Sequence, residues 1–123
     1  MYLVDTNIII YYLEGEPAAV SFLHKNRENL AISSITWMET LAYSFSEDEE
    51  LLVRAFLKEF RIIDIASPIM ELSVTLRRKK KMKLPDAIIA ASAIHHNLTL
   101  LTRNIKDFNG TTVTTLDPFS STL

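Results

Sequence analysis

The sequence predicts an α/β fold in which a parallel sheet is covered by helices on both faces. Short apolar runs alternate with stretches of helical periodicity, and the runs are followed by residues that cap helices well. The runs are also continuously apolar instead of alternating, as strands buried on both faces are. A chain of 123 residues suits one domain, residues 1–123, with an ordinary hydrophobic core.

Tyr2-Leu3-Val4 reads as the first strand, and Asp5-Thr6-Asn7 after it as a helix start. Ile8, Ile9, Tyr12 and Leu13 continue that helix until Gly15 and Pro17 interrupt it, and Val20, Phe22 and Leu23 carry a second helix to about Asn26. Leu30-Ala31-Ile32 is the second strand. The capping pair Ser33-Ser34 opens a third helix with Ile35, Met38, Leu41 and Ala42 on one face. Ser46 precedes four acidic residues, so a fourth helix runs through Leu51, Leu52, Ala55, Phe56 and Phe60, and Arg61 to Ile65 forms the third strand. Ser67-Pro68 starts a helix reaching about Lys80, and Leu84-Pro85-Asp86 repeats the signal. The segment Ala87 to Ile94 is apolar nearly all round, which predicts a helix buried on most sides against the sheet. His95-His96 before Asn97 mark its end. Leu98 to Thr102 is the fourth strand, Asn104 caps one turn through Phe108, and Asn109-Gly110 turns the chain into the β-prone segment Thr111 to Leu116.

With 13 basic and 15 acidic side chains the formal charge is -2, so net charge gives no pull toward nucleic acid. The distribution does: Arg77, Arg78, Lys79, Lys80, Lys81 and Lys83 fall within seven positions. They read either as cations offsetting a helix dipole or as ligands of nucleic-acid phosphates. Absence of cysteine excludes disulfides and thiolate zinc sites. Apolar stretches such as Ile8 to Leu13 fall far short of the roughly 20 residues of a membrane span, and the N-terminus lacks the pattern of a signal peptide. The expected location is a reducing cytoplasm, with no membrane partner.

In open parallel sheets the functional crevice lies beyond the carboxyl ends of the strands. Asp5 follows the first strand there; Ser33, Ser34, Thr36 and Glu39 follow the second; Thr102, Asn104 and Asp107 follow the fourth. Asp86, in the first turn of the buried helix, joins them. Four carboxylates without a nearby histidine favour a hard cation such as Mg²⁺ or Mn²⁺, and metal-activated water beside a polarised phosphoryl oxygen is the chemistry of phosphodiester hydrolysis. Trp37, Met38, Tyr11, Tyr12, Tyr43 and Phe45 are either core or an apolar surface for a partner.

Four segments in order, Val4-Asp5-Thr6-Asn7, Ser33-Ser34-Ile35-Thr36 with Glu39, Pro85-Asp86-Ala87-Ile88-Ile89-Ala90-Ala91, and Leu100-Leu101-Thr102-Arg103-Asn104 with Asp107-Phe108, give the chain its resemblance to PIN-domain ribonucleases. More narrowly it resembles the small VapC-like toxins of toxin-antitoxin pairs. The resemblance implies a three-layer α/β/α fold with a parallel sheet of about five strands. It also implies one or two Mg²⁺ or Mn²⁺ ions held by the catalytic acids Asp5, Glu39, Asp86 and Asp107, with Thr6, Asn7, Thr36, Thr102 and Asn104 as supporting polar residues. The implied reaction is endonucleolytic cleavage of RNA by metal-activated water. The implied partners are a small antitoxin that covers the acidic cleft and a second copy of the chain, since dimers are common in that family. A housekeeping RNA-processing nuclease fits the same residues, and a catalytically silent module binding RNA or protein is the reading from a different class.

Overall fold

In the computed structural model, which describes residues 1–120, β1 (Tyr2–Val4) lies at the centre of a five-stranded sheet. Residues 121–123 of the expected 1–123 unit lie outside the described residues. The other strands are β2 (Leu30–Ser33), β3 (Arg61–Ile63), β4 (Thr99–Leu101) and β5 (Thr115–Leu116), in spatial order β3-β2-β1-β4-β5. Every pairing is parallel, and Leu3 stands opposite Ala31 on one side and Leu100 on the other.

Six helices cover the sheet: α1 (Thr6–Leu13), α2 (Pro17–Lys25), α3 (Ser34–Leu41), α4 (Glu47–Leu57), α5 (Ser67–Lys79) and α6 (Leu84–His95). Strand alternation divides the interior between the two faces. Leu3, Ala31, Ile63 and Leu100 point toward α5 and α6, joining Ile69, Leu76 and the alanines of α6. Val4, Ile32 and Leu101 point the other way, toward Ile8 and Ile9 of α1, Leu23 of α2, and Val53 and Leu57 of α4. This is the three-layer α/β/α arrangement. Ala87, Ala90, Ala91 and Ala93 are fully buried, so α6 presses against both α5 and the sheet. Among the described residues, no helix is long and apolar enough to cross a membrane.

Local chemistry sets the helix ends. Ser46 and Glu49 form a reciprocal capping box at α4. Asn97 takes the left-handed conformation after α6, with Leu98 N–H donating to Ala93 C=O and Asn97 N–H to Ile94 C=O, the double bond of a Schellman ending.

The structure corrects several expectations of detail. The buried row of α3 is Thr36 and Thr40, while Met38 and Ala42 are exposed. Burial of these threonines is tolerated because Thr40 Oγ1 donates to Thr36 C=O at 2.8 Å and Thr36 Oγ1 meets Thr6. Leu51 and Leu52 are 68% and 73% exposed, because the cap at Ser46 starts α4 in a phase that turns Val53 and Leu57 inward. Phe60 lies beyond the end of α4 yet is buried, and β3 stops at Ile63, short of Ile65. Ala66, not Ser67, precedes the first turn of α5. Of the segment Thr111 to Leu116, two residues pair as β5.

Candidate active site

The strand order reverses at β1: the chain builds β2 and β3 on one side, then returns to lay β4 on the other. A crevice opens where successive connections leave in opposite directions, and it is here that Asp5, just after β1, meets Thr102, just after β4.

Asp5 is 6% exposed and caps α1, its Oδ1 accepting from Thr6 N–H at 2.8 Å. Its Oδ2 accepts from Thr102 Oγ1 at 2.8 Å and from Asn7 Nδ2 at 3.2 Å. Thr102 Oγ1 also accepts from Asn7 Nδ2 at 3.2 Å and from Asn104 N–H at 3.0 Å, which uses its one proton and both lone pairs. Asn7 Oδ1 accepts from Arg103 N–H at 3.3 Å, so this amide is fixed at both ends. On the other flank Thr6 Oγ1 donates to Glu39 Oε1 at 2.6 Å and lies 3.0 Å from Thr36 Oγ1. A hydroxyl has one proton; with that of Thr6 given to the carboxylate, Thr36 supplies the other bond. Ser33 Oγ accepts from Ile35 N–H at 3.1 Å and Ser34 Oγ donates to Ile63 C=O at 3.1 Å, so these two hydroxyls secure α3 and β3.

Asp5, Thr6, Asn7, Glu39, Asp86 and Asn104 line one open cleft of about 390 Å³ together with Ala42 and Tyr43. Thr36 and Thr102 are fully buried behind it and hold its walls. Burial pushes the Asp5 carboxyl up to about 6; bonds from Thr102 and Thr6 pull it down, and the charges of Asp86 and Glu39 push it up. Asp86, in the first turn of α6, is also raised, first by burial and then by the charge of Asp107, while Lys83 acts in the opposite sense.

Asp107 is not a wall of that cleft. It sits on the 3-10 turn Ile105–Phe108 and lines a second hollow with Asp86, Lys80, Lys81, Met82, Lys83 and Lys106. Asp86 thus forms the boundary between an acidic cleft and a lysine-rich hollow. Among the described residues, no three His, Cys, Asp or Glu side chains stand close enough together to enclose a metal ion by themselves. Of the basic run, Lys80, Lys81 and Lys83 border the second hollow, whereas Arg77, Arg78 and Lys79 form the exposed last turn of α5 and are not among its walls. Sequence reasoning missed Lys106, although its position beside Asp107 was the available signal. Of the aromatic set, Tyr11, Tyr12, Trp37 and Phe45 pack against the α1/α2/α4 core, while Met38 and Tyr43 are exposed.

A family model described as "PIN domain" matches residues 2–111. Ribonuclease VapC2 of Rickettsia felis is 34% identical over 122 residues, covering 88% of this chain and 90% of that protein. A toxin-antitoxin complex from Klebsiella pneumoniae contains a chain 42% identical, with a TM-score of 0.88 and coverage of 98% of this chain and 100% of that one. The structure of VapBC2 from Rickettsia felis bound to a DNA fragment from their promoter is similar at 27% identity and a TM-score of 0.78, over 94% of this chain and 98% of that one.

Proposed function

This chain belongs to the PIN-domain family, and from that premise we propose that it is an endoribonuclease, the toxin of a toxin-antitoxin pair, acting in the cytoplasm on RNA phosphodiester bonds. We take residues 1–123 as a single PIN domain. The observation that carries the reading is the acidic cleft at the strand-order reversal, where Asp5, Glu39 and Asp86 converge with no cationic side chain among its lining residues. Support for the activity and for an antitoxin partner comes from the named ribonuclease VapC2 and from the toxin-antitoxin complexes of similar fold.

The donor set is all oxygen, and the Asp5 carboxyl, raised first by burial and further by the charges of Asp86 and Glu39, is one whose charged form a cation would stabilise. The open spacing suits Mg²⁺ or Mn²⁺, which keep several waters and bind through one or two carboxylates. Asp5, Glu39 and Asp86 would hold it, with Asp107 reaching from the second hollow. When bound, such a cation lowers the pKa of a water and polarises a phosphoryl oxygen. The chain's own residues prepare the site. Thr102 and Asn7 hold Asp5 Oδ2, Thr6 N–H holds its Oδ1, and the Thr6 hydroxyl orients Glu39. Lys81, Lys83 and Lys106, bordering Asp86 and Asp107, would attract the RNA backbone beside the scissile phosphate, and Arg77, Arg78 and Lys79 would extend that field along α5. Water adds to phosphorus, the bond to the leaving ribose oxygen breaks, and that oxygen takes up a proton.

The test is cleavage of a cellular RNA pool by purified wild type, Asp5→Asn and Asp86→Asn proteins with Mg²⁺, with Mn²⁺ and with EDTA, reading the new 5′ ends. New ends that require metal and vanish in both variants are expected. Binding without cutting under every condition would replace the nuclease with a silent RNA-binding module. An antitoxin partner is tested by co-expression with any short open reading frame that adjoins the gene, which is expected to relieve growth inhibition.

A further inference from the structure

Lys80 closes α5, its N–H donating to Leu76 C=O at 2.9 Å, and its side chain leaves the helix to reach a distant part of the chain. The Lys80 ammonium donates to Lys106 C=O at 3.3 Å and to Asn109 C=O. Those two carbonyls bracket Asp107. Along the way the stem crosses Gly110, whose φ is +86°, and a Cβ built on that glycine would lie 3.8 Å from Lys80 Cδ. The turn bearing Asp107 is also tied by Asp107 N–H to Asn104 C=O at 3.0 Å, Asn109 N–H to Lys106 C=O at 3.3 Å, Thr111 N–H and Oγ1 to Phe108 C=O at 3.2 and 2.6 Å, and the buried ring of Phe108. Thr111 thus holds the Phe108 carbonyl, while Lys80, coming from α5, holds those of Lys106 and Asn109 on either side of Asp107.

We infer that Lys80 is a positioning residue that mounts the Asp107 turn opposite Asp86, and is not a contact for the RNA backbone like its neighbours Lys81 and Lys83. This rests on the proposed metal-dependent nuclease, because the service rendered is to set where Asp107 stands relative to Asp86 in their shared hollow. Two of the three ammonium donors are taken by these carbonyls, which leaves one for solvent. Loss of the ammonium frees the turn, and the carboxylate on it, without altering the three acids of the main cleft. The effect belongs to the support of a ligand and not to the ligand itself, and such support is worth about tenfold or more in metal affinity.

The experiment compares wild type, Lys80→Met, Lys80→Arg and Lys81→Met by three readouts: Mn²⁺ titration without RNA, amide hydrogen exchange, and the salt dependence of RNA binding. Lys80→Met keeps the aliphatic stem over Gly110 and removes the donor. It is expected to raise the Mn²⁺ midpoint about tenfold, to speed exchange at Asp107 and Asn109, and to leave the salt slope of RNA binding unchanged. Lys80→Arg, which restores donors, is expected to recover the midpoint. Lys81→Met is expected to reduce the salt slope by about one unit. A Lys80→Met protein with an unchanged Mn²⁺ midpoint and a shallower salt slope overturns the positioning role and makes Lys80 a phosphate contact. A wild-type protein with no Mn²⁺ response overturns the metal reading itself, and the positioning role with it.

Discussion

Thr102 donates its hydroxyl proton to Asp5 Oδ2 across 2.8 Å, joining two residues 97 positions apart at the ends of adjacent parallel strands. The bond lowers the Asp5 carboxyl, yet burial outweighs it and the group still ends near 6. The consequence is a fold that keeps a costly charge at its centre for use.

For metal-free protein the sign follows directly. Asp5 rises from 3.8 to about 6 on folding, so between those values the folded state binds more protons than the unfolded state and stability falls as pH rises. The loss is complete above about pH 6 and amounts to roughly 3 kcal/mol. Urea denaturation in EDTA from pH 4 to pH 8 is expected to show this decline, and Asp5→Asn to flatten it. Added Mg²⁺ should raise the thermal midpoint more at pH 8 than at pH 5; equal shifts would contradict the account.

Thr102→Val preserves shape but removes one donor and two acceptor sites used by Asp5, Asn7 and Asn104. Asp5 is the buried member of the three and keeps the Asn7 amide on its Oδ2, so the loss is that of one bond to a buried carboxylate, about 1–3 kcal/mol. Chemical denaturation at pH 7 measures it, and RNA cleavage should fall in the same variant because Asp5 Oδ2 loses its guide.

Thr6→Val is expected to act on both function and stability. It frees Glu39 Oε1 from its 2.6 Å donor and leaves the Thr36 hydroxyl unpaired. The expected result is a fall in kcat of about tenfold to a hundredfold, the scale seen when support of a metal ligand is removed, with Glu39→Gln losing more. Steady-state cleavage of a short RNA decides it.

Ser46→Ala removes the capping box of α4, none of whose residues line the cleft. A loss of about 1 kcal/mol is expected from the missing N-cap, with the cleavage rate unchanged. The Ser46 bonds also hold the Glu49 carboxyl below its ordinary range, so the Ser46 contribution should fade as the solution is acidified through that group's titration.

Much of this was legible beforehand because local chemistry and tertiary structure agree. Asp5-Thr6-Asn7 announces the end of a strand and the cap of a helix, and Pro85-Asp86 followed by small apolar residues announces a helix inserted against the sheet. The face of α3 was not legible. Of the expected face, Ile35 and Leu41 pack partly buried against the core but Met38 and Ala42 are exposed, while full burial went to Thr36 and Thr40. The Thr36 hydroxyl finds its partner on Thr6, 30 residues away, and Thr40 bonds back to the Thr36 carbonyl. Asp107 was placed correctly in sequence as an acid after β4, but its assignment to a separate lysine-lined hollow depends on Lys80 and Lys106 meeting across 26 residues.

The strand order has a further effect during synthesis. Tyr2 pairs with Leu30 on one side and with Thr99 on the other, so the central strand, made first, waits for a neighbour made much later. A growing chain on the ribosome can carry Asp5, Glu39 and Asp86 while Thr102 and Asn104 are still to come, and Asp5 then has neither its far partner nor its second wall. Long-range parallel pairing of this kind forms late in folding. The translation machinery, itself rich in RNA, is thus exposed to a completed cleft only after the segment that begins at Thr99 has been delivered and has found β1.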